Sequence, residues 1–195
     1  MAHGTAWHTV GPFFPRTFFQ EGVNDLASAG PGAPAASGIP IALLGTVRQD
    51  GGGPAVNAVI EAWQADAAGR FAHPEDPDAR SADRGFFGWG RAWIDGAGRY
   101  DFRTVLPGGY DDPIGRRAPH INLSIYASGI MRRLNTAVFF PGVPENATDP
   151  VLACVPHNRR PLLVAKPHEP DENDRLVFTF DIILRGEQET PFFID

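Results

Sequence analysis

The segment His120-Ile121-Asn122 comes nearest to a metal-binding arrangement in this sequence. On a β-strand, residues i and i+2 point to the same face, so two imidazoles at these positions could reach one metal ion. Here the second position is Asn. A neutral amide oxygen is a poor ligand for ferric iron, which is better held by anionic oxygen and imidazole. Taken alone, His120 reads as a hydrogen-bonded structural residue on a strand. Cys154 is the only cysteine, which excludes an intrachain disulfide and a thiolate zinc cluster. No Gly-rich phosphate loop follows a strand and opens a helix, and no G-x-S-x-G elbow occurs.

The elements that must position these residues read as strands. Ile41, Leu43 and Leu44 open a strand that ends at Gln49. Residues Val56 to Gln64 alternate Val56, Ala58, Ile60 and Ala62 against Asn57, Val59, Glu61 and Trp63, the two-residue period of a strand inside a sandwich. Residues 66–85 form a polar excursion. Trp89 to Ile94 and Arg99 to Val105 flank Asp95-Gly96-Ala97-Gly98, a hairpin signal. His120 to Tyr126 sets Ile121, Leu123 and Ile125 inward. Thr136 to Phe140, Leu162 to Ala165 and Arg175 to Leu184 complete the candidates, and Pro150 to His157 suits a helical turn. About eight strands with turn punctuation predict an all-β, two-sheet β-sandwich with long loops.

Composition agrees. Of 195 residues, 43% are hydrophobic, which suits a globular core, and 22 Gly and 19 Pro supply the turns between short strands. The formal net charge of −6 argues against nucleic acid or an anionic membrane as partner, since both need a basic face. No apolar stretch is long enough for a membrane span and no signal peptide is evident, so a cytoplasmic protein is expected. Residues 1–38 read as an extended N-terminal arm and linker ahead of a sandwich over 39–195. The arm carries Phe13, Phe14, Phe18 and Phe19 among prolines and glycine. These rings need a surface: either the chain's own sandwich or a partner.

Several blocks in order resemble the intradiol ring-cleaving dioxygenases. Glu61-Ala62-Trp63-Gln64-Ala65 matches the family's E-x-W-Q-A, and Gly69-Arg70-Phe71 stands at its G-R-Y. Arg99-Tyr100-Asp101-Phe102-Arg103-Thr104 matches the end of its D-x-x-G-x-Y-x-F-R-T, Pro107-Gly108-Gly109-Tyr110 its P-G-x-Y, and His120-Ile121-Asn122 its H-I-H. The resemblance spans roughly residues 8–195 and implies the intradiol-type sandwich. In catalytic members two tyrosinates and two histidines hold Fe(III). By that correspondence Tyr110 and His120 survive as vestigial iron-shell positions, while Phe71 and Asn122 are lost ligands. The arginine before the family's H-I-H corresponds to Arg117, with Arg116 the second choice.

The resemblance further implies a role. The arm Thr9-Val10-Gly11-Pro12-Phe13 and the tail Phe180-Asp181-Ile182 … Gly186-Glu187-Gln188-Glu189-Thr190-Pro191-Phe192-Phe193 resemble those of the iron-free alpha-type chain of the family's two-chain member. There Fe(III) is expected on an iron-bearing beta subunit, the partner, and not on this chain. The pair would open the ring of 3,4-dihydroxybenzoate with O2, giving 3-carboxy-cis,cis-muconate, with the small aromatic substrate at the interface. This chain alone would carry no metal and no catalytic residue. It would contribute Thr9, Gly11 and Pro12 to the pocket, with Arg133, ahead of Arg132, meeting the substrate carboxylate. Two other readings stay open: a self-sufficient catechol or hydroxyquinol dioxygenase with an altered iron shell, and a non-enzymatic β-sandwich interaction module.

Overall fold

The structure, a computed structural model, describes residues 14–194. Its strands are β1 (Pro40–Arg48), β2 (Ala58–Trp63), β3 (Trp89–Trp93), β4 (Arg99–Val105), β5 (Tyr110–Asp112), β6 (Gly115–Arg117), β7 (His120–Ala127), β8 (Leu134–Phe139), β9 (Lys166–His168), β10 (Leu176–Thr179) and β11 (Ile182–Ile183), with one short helix, α1 (Pro150–Ala153). Alternation places the core. In β7 Ile121, Leu123 and Ile125 are buried, as are Ala58, Ile60 and Ala62 in β2. These face Ile41 and Leu43 of β1 and Phe102 of β4 in one cluster between two sheets. One sheet runs β3-β2-β7-β8, all antiparallel. In the other, β1 pairs antiparallel with β4 on one side and parallel with β10, then β11, on the other; β9 follows β10.

Three local expectations are corrected. Trp89–Trp93 and Arg99–Val105 do not form a hairpin. Asp95 N–H bonds to Arg99 O at 3.0 Å and Gly98 N–H to Asp95 O at 2.9 Å, but beyond this turn β3 joins β2 and β4 joins β1. The inward residues Ala92, Ile94, Tyr100 and Phe102 fill the core between the two strands instead of a common sheet face. Leu162–Ala165 is not a strand: residues His157–Leu163 wind as a 3-10 helix, and only Val164 makes an isolated bridge to Phe139. The last strand breaks after Thr179. At the break the Asp181 carboxylate accepts Thr46 N–H at 2.9 Å and the Thr46 hydroxyl at 2.7 Å, and the Tyr100 hydroxyl donates to Phe180 O at 2.6 Å. Asp181 thus satisfies the amide that the interrupted ladder leaves open.

Both ends of the chain seal sandwich edges, where free amides and carbonyls would otherwise be exposed. Near the start, Arg91 N–H donates to Val23 O at 2.8 Å, Leu26 N–H to Arg103 O at 2.8 Å and Arg103 N–H to Asn24 O at 3.0 Å. One segment therefore stitches β3 to β4, with Leu26 fully buried beneath it. Near the end, Thr190 N–H donates to Ile183 O at 2.9 Å and Phe193 N–H to Asn135 O at 2.8 Å, stitching β11 to β8. Among the described residues, arm aromatics also find a surface on the chain itself. Phe14 and Phe19 pack edge-on to Trp93, centroids 6.2 and 4.8 Å away, and the Arg91 guanidinium lies 4.7 Å from the Phe18 ring centre. Among the described residues no helix is long and apolar enough to cross a membrane.

Candidate functional site

The matched motif blocks are the struts of one site. Gln64, buried at the end of β2, donates to Val105 O at 3.0 Å and accepts from the Thr104 hydroxyl at 2.8 Å, tying the two sheets together beside the site. Glu61 accepts Arg91 Nε at 3.0 Å across β2 and β3. Beyond Gln64 the chain turns on Asp66, whose carboxylate accepts the N–H groups of Ala68, Arg70 and Asp83 at 2.9 Å each. That bracket shapes the long polar excursion. Gly69, at φ +79°, lies where any Cβ would collide with Gly109 O, and a Cβ on Gly108 would strike Gly69 N. The loops leading to Phe71 and Tyr110 are thereby pressed backbone to backbone, which only glycine permits.

This arrangement brings Phe71, Tyr110 and His120 together. Phe71 meets Tyr110 edge-on, with centroids 5.1 Å apart, and stacks nearly parallel on Trp63 at 5.8 Å and 9°. The Tyr110 hydroxyl lies 3.5 Å from His120 Nε2. Asn122 sits two residues along the same face of β7, level with Trp63 of β2 and Ala137 of β8. Outside them opens a cleft of ≈ 750 Å³ bordered by Trp63, Arg70, Phe71, His73, Tyr110 and Arg116.

A buried polar knot lies behind the cleft. His120 Nδ1 donates to Ala118 O at 2.6 Å, which leaves the Nε2 lone pair as the ring's acceptor. The Arg117 guanidinium faces that lone pair, Nη2 to Nε2 3.4 Å. Arg117 Nε in turn donates to Asp149 at 2.9 Å. Asp149, fully buried, also accepts Ala118 N–H at 2.9 Å and caps α1 through Val151 and Leu152 N–H at 2.9 and 2.8 Å. Burial, reinforced by the Arg117 charge, lowers the His120 pKa to about 4, so the ring is neutral at neutral pH. Burial likewise pushes the Tyr110 phenol up, away from the phenolate. For Asp149 burial works upward, yet the Leu152 and Ala118 N–H groups and Arg117 outweigh it and hold the carboxyl below its ordinary range.

Ferric iron does not fit these residues. Phe71 has no oxygen, Asn122 offers a neutral amide, the Tyr110 phenol is held protonated and a cation faces the His120 lone pair. Among the described residues no group of three or more His, Cys, Asp or Glu side chains could hold a metal ion. Trp63 and Asp149 did not figure as site residues in the sequence. The Asp149-Pro150 step signals a helix N-cap, but nothing local points to its bond with Arg117.

Arg132 and Arg133 lie elsewhere. They are exposed in the turn joining β7 to β8, at the far end of β7 from His120, ~23 Å away at ~3.3 Å per residue. Trp93, which carries Phe14, is level with Val59 and Tyr126 at that same far end. Thr9, Gly11 and Pro12 fall outside the described residues.

Residues 11–186 match the model of a family described as Dioxygenase. The alpha chain of protocatechuate 3,4-dioxygenase from Burkholderia cepacia is 35% identical over 195 residues, 97% of this chain and 96% of that one. The beta chain from the same organism is 38% identical over 156 residues, 77% of this chain but 66% of its own length. Among solved structures, catechol 1,2-dioxygenase from Acinetobacter sp. ADP1 superposes with a TM-score of 0.65 at 25% identity, covering 88% of this chain and 60% of that one.

Proposed function

This chain belongs to the dioxygenase family, and from that premise we propose that it is the alpha-type subunit of a protocatechuate 3,4-dioxygenase. It pairs with an iron-bearing beta subunit, which supplies the Fe(III) that binds the catechol oxygens of 3,4-dihydroxybenzoate and makes the ring reactive toward O2. The observation that carries this reading is the end-to-end likeness to an alpha chain in a protein whose own site lacks a phenolate at Phe71 and an imidazole at Asn122.

The geometry supports a division of labour within the chain. At the family's metal-site end, around Tyr110 and His120, the Phe71 ring lies against Tyr110 and the Arg117–Asp149 pair lies behind His120. The other end of the four-stranded sheet carries the arm at Trp93 and the exposed turn bearing Arg132 and Arg133. On this reading the partner's pocket borders that second end. Thr9, Gly11 and Pro12 wall it, with Gly11 allowing close backbone approach, and Arg133 orients the substrate through its carboxylate, remote from the carbons that react. The assembly works in the cytoplasm.

Co-expression with the beta subunit of the same organism tests the proposal. A stable complex with iron on the beta chain and O2 uptake on 3,4-dihydroxybenzoate is expected. Failure of the two chains to associate would overturn it.

A further inference from the structure

The C-terminal strap gives the alpha-type tail a purpose. Four hydrogen bonds fasten it between the sheets. Thr190 N–H donates to Ile183 O at 2.9 Å, and the Thr190 hydroxyl accepts Ile183 N–H at 2.9 Å. The Thr136 hydroxyl donates to Pro191 O at 2.9 Å, and Phe193 N–H donates to Asn135 O at 2.8 Å. Glu189 O, just ahead of the strap, accepts Arg159 Nη2 at 2.6 Å. Thr136 and Thr190 are both buried, so water cannot replace these bonds if they break.

The strap grips β8 at Asn135 and Thr136, the second and third residues of the strand. Arg133 is the residue immediately before β8 begins. β8 has β7 on one side only and is otherwise the edge of its sheet. Its first residues are therefore held in the sheet plane by β7 pairing and by the strap. Ser124 ties the same spot from β7, donating to Asn135 Oδ1 at 3.0 Å. The turn 128–133 has exposed residues at Ser128, Gly129, Met131, Arg132 and Arg133, and two-strand turns without such bracing are mobile.

We propose that the strap Thr190–Phe193 is a positioning element: it fixes the start of β8 against the opposite sheet and so holds Arg133 where a substrate carboxylate in the partner's pocket is met. This rests on the Arg133 reading under Proposed function and adds the element that orients it. Thr136, Thr190 and Phe193 act through Arg133 and touch no substrate.

The test uses T136V and T190V, each folded by circular dichroism, in the purified chain and in the complex with the beta subunit. Hydrogen exchange of the 128–134 amides should speed up about tenfold or more, while the buried amides of β2 keep their rates. In the complex the KM for 3,4-dihydroxybenzoate should rise about tenfold, the size of one weakened charge-assisted contact. The KM for catechol, which has no carboxylate, should stay unchanged. Unchanged exchange in the turn overturns the strap. Faster exchange with both KM values moving together, or neither moving, overturns its action through Arg133. R133A in the same assay separates the two levels: if it leaves the KM for 3,4-dihydroxybenzoate unchanged, the Arg133 reading fails, and the exchange rates still judge the strap.

Discussion

Acidifying the purified chain from pH 7 to pH 5 should remove about 2 kcal/mol of folding stability through His120 alone. Unfolded, the imidazole takes up a proton near pH 6.5; folded, it does so only near pH 4, because the ring is buried with the Arg117 guanidinium against it. Between those values the unfolded chain binds more protons than the native one, so stability falls as pH falls. The full window is worth ~3 kcal/mol, of which about 2 kcal/mol is lost by pH 5. Carboxylates held low, such as Asp149, remain ionised over this range and add nothing. Urea unfolding at pH 7 and at pH 5 measures the loss, and H120Q isolates it. The other histidines cancel between the two proteins, so H120Q should show a pH dependence smaller by about 2 kcal/mol. An identical pH dependence in both would refute the buried, neutral His120 and the knot built on it.

D149N leaves the Arg117 charge buried without its partner and should cost roughly 3–5 kcal/mol, whereas R117M/D149L, which removes both charges, should cost clearly less; urea midpoints compare them. G45A should lose roughly 3 kcal/mol or fail to fold, because its methyl would collide with Phe180 O and the Tyr100 ring where the last strand breaks; thermal melts decide this, and a wild-type Tm would contradict the packing at that break. R91A should loosen the arm, since it removes both the bond to Glu61 and the ring contacts with Phe18 and Trp89. Limited proteolysis should then cut ahead of Val23 sooner than in the wild type.

Period-two alternation made β2 and β7 legible, since each buries one complete face: Ala58, Ile60 and Ala62, then Ile121, Leu123 and Ile125. Pairing was not legible. Asp95-Gly96-Ala97-Gly98 has the chemistry of a hairpin turn, yet whether its flanking strands share a sheet depends on β1 and β2, which compete for them from elsewhere in the chain. Leu162–Ala165 has strand-like residues, but Pro161 and the preceding turn bend the segment into a 3-10 helix. At the site, the damaged ligand set could be read from Phe71 and Asn122. The Arg117–Asp149 bond could not, because it joins residues far apart in sequence, and an ion pair of that kind leaves no local pattern.

On the proposed pairing, iron belongs to the partner and not to this chain. The most direct measurement is metal content by mass spectrometry, with the visible spectrum, of the chain purified alone and of its complex with the beta subunit. The chain alone should show almost no iron and no ferric–phenolate colour, and the complex about one iron per alpha–beta pair and full colour. One iron per isolated chain, with colour and O2 uptake on an aromatic diol, would contradict it.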